Sequence, residues 1–214
     1  QYFTPRHLID SIVAVMKPQL TDVIQDPAAG TCGFLIAANN YLRRHNDFDS
    51  LDDATQRRYR HATFHGMELV QDTHRLALMN MMLHGIGSEK SVPVVVGDAL
   101  AADPGERFEV VLANPPFGKK SSTVIVGEDG RTSTEKDTIE RDDFWATTSN
   151  KQLNFVQHIK TLLAIHGRAA VVLPDNVLFE GGAGETIRKK LLHECDVHTL
   201  LRLPTRSEER RVGK

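Results

Sequence analysis

Phe108-Glu109-Val110-Val111-Leu112-Ala113-Asn114-Pro115-Pro116-Phe117 is the stretch from which the fold can be read. Phe108 to Leu112 is a short apolar run with the character of a buried strand. Pro115 and Pro116 then stop the sheet, since proline lacks the N–H that a ladder needs, and together they stiffen the backbone. Asn114 brings an amide oxygen and an amide NH2 to that stiff corner. Phe117 adds a flat apolar face. A rigid platform of acceptors with a stacking ring, at the C-terminal end of a strand, stands where open α/β sheets bind ligands. The platform suits an extruded base that carries an amino group.

Working outward, strands and helices alternate. Thr4-Pro5 opens a helix, with Thr4 as N-cap and Leu8, Ile12, Val15 and Met16 as its apolar stripe, ended by Pro18. Val23-Ile24 is the first strand. Leu35, Ala38 and Leu42 carry a helix to about His45. Residues 46–62 form a polar, partly helical connection to a second strand, Phe64 to Glu68. Leu69, Thr73, Leu76, Asn80 and Leu83 make the inner face of the next helix, stopped at Gly85. Val92–Val96 is a third strand, Phe108–Leu112 a fourth, Ala169–Leu173 a fifth and Val197–Leu203 a sixth. Helices over Leu153–Ile165 and Gly184–His193 fall between the last three. This alternation gives an α/β fold with a parallel, doubly wound sheet. Residues 118–150 interrupt it as a long polar loop beside the Asn-Pro-Pro-Phe corner, and loops of that length are usually functional.

Composition narrows the function classes. The chain has 214 residues, enough for one α/β domain with a sizeable core. No apolar run reaches the roughly 18–20 residues of a membrane span, and no secretory signal is visible. Cys32 and Cys195 are too sparse for a disulfide scaffold or a zinc site, and the histidines show no metal spacing. A reducing cytoplasm fits that usage. The 26 Lys+Arg against 28 Asp+Glu give a net charge of −2, so if the chain acts on DNA, much of the phosphate contact comes from elsewhere.

A second motif joins the first. Asp26-Pro27-Ala28-Ala29-Gly30-Thr31-Cys32-Gly33-Phe34 follows the first strand, and its glycines let the backbone approach a ligand closely. The two motifs together resemble the amino-methylating DNA methyltransferases that use S-adenosyl-L-methionine, and most closely the modification (methylation) subunits of type I restriction–modification systems. The resemblance runs from Gln1 to about Thr205, which makes residues 1–205 a methyltransferase core. It implies a Rossmann-like methyltransferase fold. Gln1 lies inside a motif, so the chain reads as a fragment. Residues 206–214 resemble the translation of a common sequencing adapter and are set apart as a non-native tail.

The resemblance distributes roles. Gln1, Tyr2, Phe3, Thr4, Pro5 and Arg6 fold over the methionine end of S-adenosyl-L-methionine; the Thr4 hydroxyl and the helix start suit its carboxylate, and Phe3 its sulfonium. Asp26, Gly30, Thr31, Cys32 and Gly33 form the cofactor turn. Cys32 stands where many relatives have Gly or Ala, and it is a small packing residue rather than a nucleophile. Glu68 accepts from both ribose hydroxyls. Asp98, followed by Ala99, accepts from the cofactor's adenine amino group. At the corner, the Asn114 oxygen and the Pro115 carbonyl accept the two amino hydrogens of a target adenine. Pro116 fixes the shape and Phe117 stacks on the flipped base. Ring methylation of cytosine would need a Pro-Cys motif, which is absent.

Asn150 to Phe155, preceded by Trp145, also resembles the family and lies beside the base pocket, though Asn150 equally suits a helix N-cap. Lys119, Lys120, Arg131 and Lys136 are candidates for phosphate contact or for a solvated loop. The partners implied are double-stranded DNA, a specificity subunit that reads the target, an endonuclease subunit, and a second methylation subunit. Two other readings stay open: a protein or RNA amino-methyltransferase on the same fold, which Phe117 rather than Tyr disfavours, and a non-catalytic scaffold of a restriction complex.

Overall fold

The computed structural model describes residues 4–88, 91–117, 122–126, 132–136 and 138–203. Its centre is a parallel five-stranded sheet in the order β3-β2-β1-β4-β7. The strands are β1 (Ile24–Asp26), β2 (Phe64–Glu68), β3 (Val94–Val96), β4 (Phe108–Ala113) and β7 (Leu163–Val171). The chain winds from β1 out to β3, then crosses back to β4. The reversal point between β1 and β4 is where doubly wound sheets hold ligands.

Alternation along β4 sets the layers. Val110 and Leu112 join the large cluster built on α1 (Arg6–Met16) and α2 (Gly33–His45), whereas Val111 and Ala113 meet Ile159 and Leu162 of α5 (Lys151–Leu162). Both faces are therefore covered, as a parallel sheet requires. Gly66 in β2 is needed for this packing, because a Cβ there would lie 3.1 Å from Ala29 Cβ and 3.3 Å from Leu35 Cδ1. The connection over 46–62 holds a 3-10 turn (Phe48–Ser50) and α3 (Asp53–Ala62). Beyond β7 lie α6 (Asn176–Phe179) and α7 (Ala183–Glu194). No described helix is long and apolar enough to cross a membrane.

Several local expectations are corrected. Helix α1 begins at Arg6 with Pro5 in the cap position, where the proline ring offers no acceptor and there is no side-chain cap; the Thr4 hydroxyl accepts from Asn114. Its core residues are Ile9 and Val13, while Val15 is 77% exposed. In α4 (Gln71–Leu83) the buried face is Thr73, Ala77 and Met81, with Leu76 at 56% and Leu83 at 84% exposure. Thr73 and Ala77 are small enough to let that part of the helix sit close over the sheet, and Asn80 donates to the Thr31 carbonyl at 2.8 Å.

Within the long polar segment, β5 (Ser122–Val126) and β6 (Thr132–Lys136) pair antiparallel. The polar β6 carries no apolar alternation, which concealed the pair in the sequence. Helix α5 stops at Leu162 and the chain enters β7 at once, so Ile165 lies outside the helix. No strand forms over residues 197–203: Leu200 and Leu201 are exposed and find no covering layer among the described residues. Residues 206–214 lie outside the described residues.

Candidate functional site

The C-terminal ends of β1, β2, β3 and β4 converge on one rim. Asp26 ends β1 and is buried, with its Oδ1 accepting from the Ala28 N–H at 3.0 Å. Burial, reinforced by the nearby Glu68 charge, pushes the Asp26 carboxyl up to about 7 against the lowering effect of that N–H. The turn that follows is stitched to β2: Ala29 N–H donates to the Met67 carbonyl at 2.9 Å, and Gly30 N–H to Glu68 Oε2 at 2.9 Å. Gly30 has φ +54, and the one heavy atom near a Cβ there would be the Ala28 carbonyl oxygen at 4.0 Å, so the turn leaves open room beside its backbone.

Cys32 also sits in the left-handed region, at φ 67, and is fully buried. That backbone position is the physical reason a glycine suits it, and full burial is the reason a larger side chain does not. Burial pushes its thiol well above the usual range, first by desolvation and then by the Asp26 and Glu68 charges. A thiol so placed is inert. Gly33 begins α2.

Glu68 ends β2, nearly buried, with Oε1 accepting from Val70 N–H at 2.9 Å. Its carboxylate therefore pins the glycine turn to the β2–α4 connection while keeping further lone pairs for a ligand. Asp98 follows β3 at the surface and accepts from Leu100 N–H at 2.9 Å through one oxygen. Ala99 is buried against Leu100 and Phe155, with Ala28 and Met67 packed alongside. Open space at a glycine turn, flanked by two carboxylates on adjacent strand ends, fits a ribonucleoside moiety.

At the end of β4, Asn114 Nδ2 donates to Thr4 Oγ1 at 2.6 Å. Its Oδ1 is buried and has no hydrogen-bond partner among the described residues. Pro115 is buried, whereas Phe117 is 56% exposed, a large ring held at the rim. The corner is braced from below by Val172 N–H to the Ala113 carbonyl at 2.9 Å. From the side, Gln152 Nε2 approaches the Pro116 carbonyl at 3.4 Å.

Asn150 caps α5, accepting from Gln152 and Leu153 N–H at 2.9 and 3.3 Å, so its side chain serves the helix start. Trp145 lies beside the C-terminal part of α5, donating to Glu194 at 3.0 Å with Lys160 over its ring. It stands apart from the corner, against the expectation that grouped it with the base pocket. A polar cleft of about 480 Å³, lined in part by Arg107, Asp143, Lys160 and Glu194, opens at the opposite end of β4. It shares no residue with the rim.

Sequence reasoning missed two contacts at this rim, Thr4 with Asn114 and Gln152 with Pro116. Each joins segments far apart in the chain, and no local pattern announces it. Arg6 is exposed at the first turn of α1. Gln1, Tyr2 and Phe3, and the loop cations Lys119, Lys120 and Arg131, lie outside the described residues, as does the side chain of Lys136.

Comparison with known proteins adds a second line. Residues 1–207 match the family described as N-6 DNA Methylase. The chain is 49% identical over 211 residues to the type I restriction enzyme EcoKI methylase subunit of Escherichia coli K12, covering 96% of this chain and 37% of that protein. The crystal structure of the EcoKI M protein superposes with a TM-score of 0.82 at 46% identity, covering 96% of this chain and 41% of that one. A structure solved in work on complex assembly and conformational transition of the type I restriction–modification system gives a TM-score of 0.72 at 30% identity, over 89% of this chain and 36% of that one. The chain thus spans little more than a third of the length of the relatives it matches.

Proposed function

The chain belongs to the N-6 DNA methylase family, and we propose that residues 1–205 are the catalytic core of an adenine-specific DNA methyltransferase, the modification subunit of a type I restriction–modification system. The observation that carries this reading is the Asn114 amide. Its NH2 donates to Thr4, and its buried oxygen stands without a partner among the described residues where β4 ends. A buried acceptor left unsatisfied is costly, so a donor supplied by a substrate is its natural complement.

S-adenosyl-L-methionine, when bound, supplies a methyl group made electrophilic by its sulfonium. Asp26, Gly30, Thr31, Cys32 and Gly33 give the turn that would receive it. Glu68 would take the ribose hydroxyls, Asp98 with Ala99 the adenine edge, and Thr4, Pro5 and Arg6 the methionine end, together with Gln1, Tyr2 and Phe3.

The acceptor nitrogen of adenine is a poor nucleophile, because its lone pair is delocalised into the ring. Asn114 Oδ1 and the Pro115 carbonyl accept its two hydrogens and draw the nitrogen toward a tetrahedral geometry. They also fix it in line for transfer, which places the reacting atoms about 3–3.5 Å apart. Pro116 keeps the carbonyl from turning away. Phe117, exposed at the rim, stacks on the extruded base, a contact worth about 1–3 kcal/mol. No cysteine takes part.

The near-neutral charge of the chain supports delegation of DNA recognition, so a specificity subunit, an endonuclease subunit and a second methylation subunit are the proposed partners, in a prokaryotic cytoplasm.

The test is to incubate DNA with the full-length protein, its genomic specificity partner and S-adenosyl-L-methionine, then map methylated adenines. Methylation at a defined site, abolished by Asn114→Ala while cofactor affinity stays within about threefold, is the expected result. Transfer to protein instead of DNA, or normal turnover by Asn114→Ala, would sink the mechanism.

A further inference from the structure

The Asn114 side chain is turned by a residue 110 positions away. Its Nδ2 donates to Thr4 Oγ1 at 2.6 Å, and its Oδ1 is buried without a partner among the described residues. An amide has a donor end and an acceptor end of nearly the same shape, so a half-turn about its last bond exchanges them. In the exchanged orientation the NH2 would face the target amine, donor against donor. The Thr4 hydroxyl could satisfy either orientation, since it donates as well as it accepts. Nothing within Asn-Pro-Pro-Phe itself selects between the two. The selection falls to whatever receives the Thr4 proton. A hydroxyl that gives its proton elsewhere turns only lone pairs to Asn114, and the NH2 must then face Thr4.

Thr4 precedes Pro5, the cap of α1, whose carbonyl accepts from the Leu8 and Ile9 N–H groups at 3.0 and 3.1 Å. The earlier N–H groups of that first turn have no intrahelical acceptor and favour an anion. We propose that Thr4 is a positioning residue: by donating its proton to the carboxylate of the bound cofactor and accepting from Asn114 Nδ2, it holds Asn114 Oδ1 toward the target amine. Cofactor occupancy and capture of the amino group are thereby coupled through one hydroxyl. The inference rests on the methyltransferase reading above and deepens it.

The experiment uses the full-length protein with its specificity partner, as wild type, Thr4→Val and Thr4→Ser. Two probes are placed at the target position: 8-vinyladenine, a fluorescent adenine that keeps the 6-amino group, and 2-aminopurine, which lacks it. Extrusion of each is read with and without S-adenosylhomocysteine, so no methyl is transferred. Wild type should prefer the 6-amino probe, and more so with S-adenosylhomocysteine bound. Thr4→Val should lose that preference and that coupling, and its kcat should fall on the order of tenfold to a hundredfold. Its KM for cofactor should rise as well, because the carboxylate loses the same hydroxyl. Thr4→Ser should restore all three.

A Thr4→Val protein that keeps kcat and its probe preference, with a raised cofactor KM alone, makes Thr4 a cofactor ligand and nothing more, and overturns the positioning role. A loss that serine does not restore assigns the effect to the threonine methyl group and overturns it equally. If wild type neither binds S-adenosyl-L-methionine nor methylates DNA, the functional reading falls and this inference with it. A defect confined to the variants strikes the inference alone.

Discussion

Replacing Glu68 with alanine should do two separable things. The carboxylate accepts from Gly30 and Val70 N–H, both at 2.9 Å, and the residue is 7% exposed. Hydrogen bonds to a charged acceptor contribute about 1.5–3 kcal/mol each, and alanine leaves both donors without a partner. Part of that loss is offset, because the Glu68 charge raises the Asp26 pKa and its removal eases the burial of Asp26. The net destabilisation should be about 2–4 kcal/mol, a fall in Tm on the order of 5–15 °C for a chain of this size.

The second effect is on binding. Loss of the acceptor for two ribose hydroxyls should weaken S-adenosyl-L-methionine by about 1–3 kcal/mol, or roughly 5-fold to 150-fold. Thermal unfolding without ligand reads the first effect, and calorimetric titration at a temperature where the variant is folded reads the second. Glu68→Gln is the control: it keeps the length but turns an NH2 toward one of the two N–H donors, so it too should be destabilised. An alanine variant with unchanged Tm would show that Glu68 does not hold the glycine turn. Unchanged affinity in a folded variant would remove Glu68 from the cofactor site.

Two further predictions concern the same rim. With its folded pKa at about 7, Asp26 keeps a proton that the unfolded chain releases near pH 4, so this contribution to stability is complete below about pH 4 and declines as pH rises to 7. The slope should approach 1.4 kcal/mol per pH unit, roughly, and Asp26→Asn should flatten it in denaturant titrations between pH 5 and about 7; an equal decline in the variant would clear Asp26 of responsibility. Phe117→Ala should weaken capture of the extruded base by about 1–3 kcal/mol, read by 2-aminopurine fluorescence, with cofactor affinity unchanged, and full extrusion by the variant would count against stacking.

Much of this architecture is written locally. Short apolar runs ended by Asp26, Glu68, Asp98 or Asn114 mark the strand ends, because a sheet buried on both faces needs continuous apolar residues and its exit needs a turn. The residues of the candidate site stand at those exits, which is why they were legible. The phase of a helix was not. On α1 and α4 neighbouring stripes are both apolar, and which of them turns inward depends on what lies beneath. Thr73, Ala77 and Met81 win over Leu76 and Leu83 because the sheet sits close under α4.

Thr4 reads as a helix cap from its neighbours, yet its hydroxyl meets Asn114, 110 positions away in the chain. Capping is a property of a few consecutive residues. That contact exists only once α1 is laid against the sheet. Sequence by itself therefore determined which groups arrive at the rim and, through local turns, how Asp26 and Asp98 are held; tertiary packing decided which way the Asn114 amide faces, since its partner is 110 residues away.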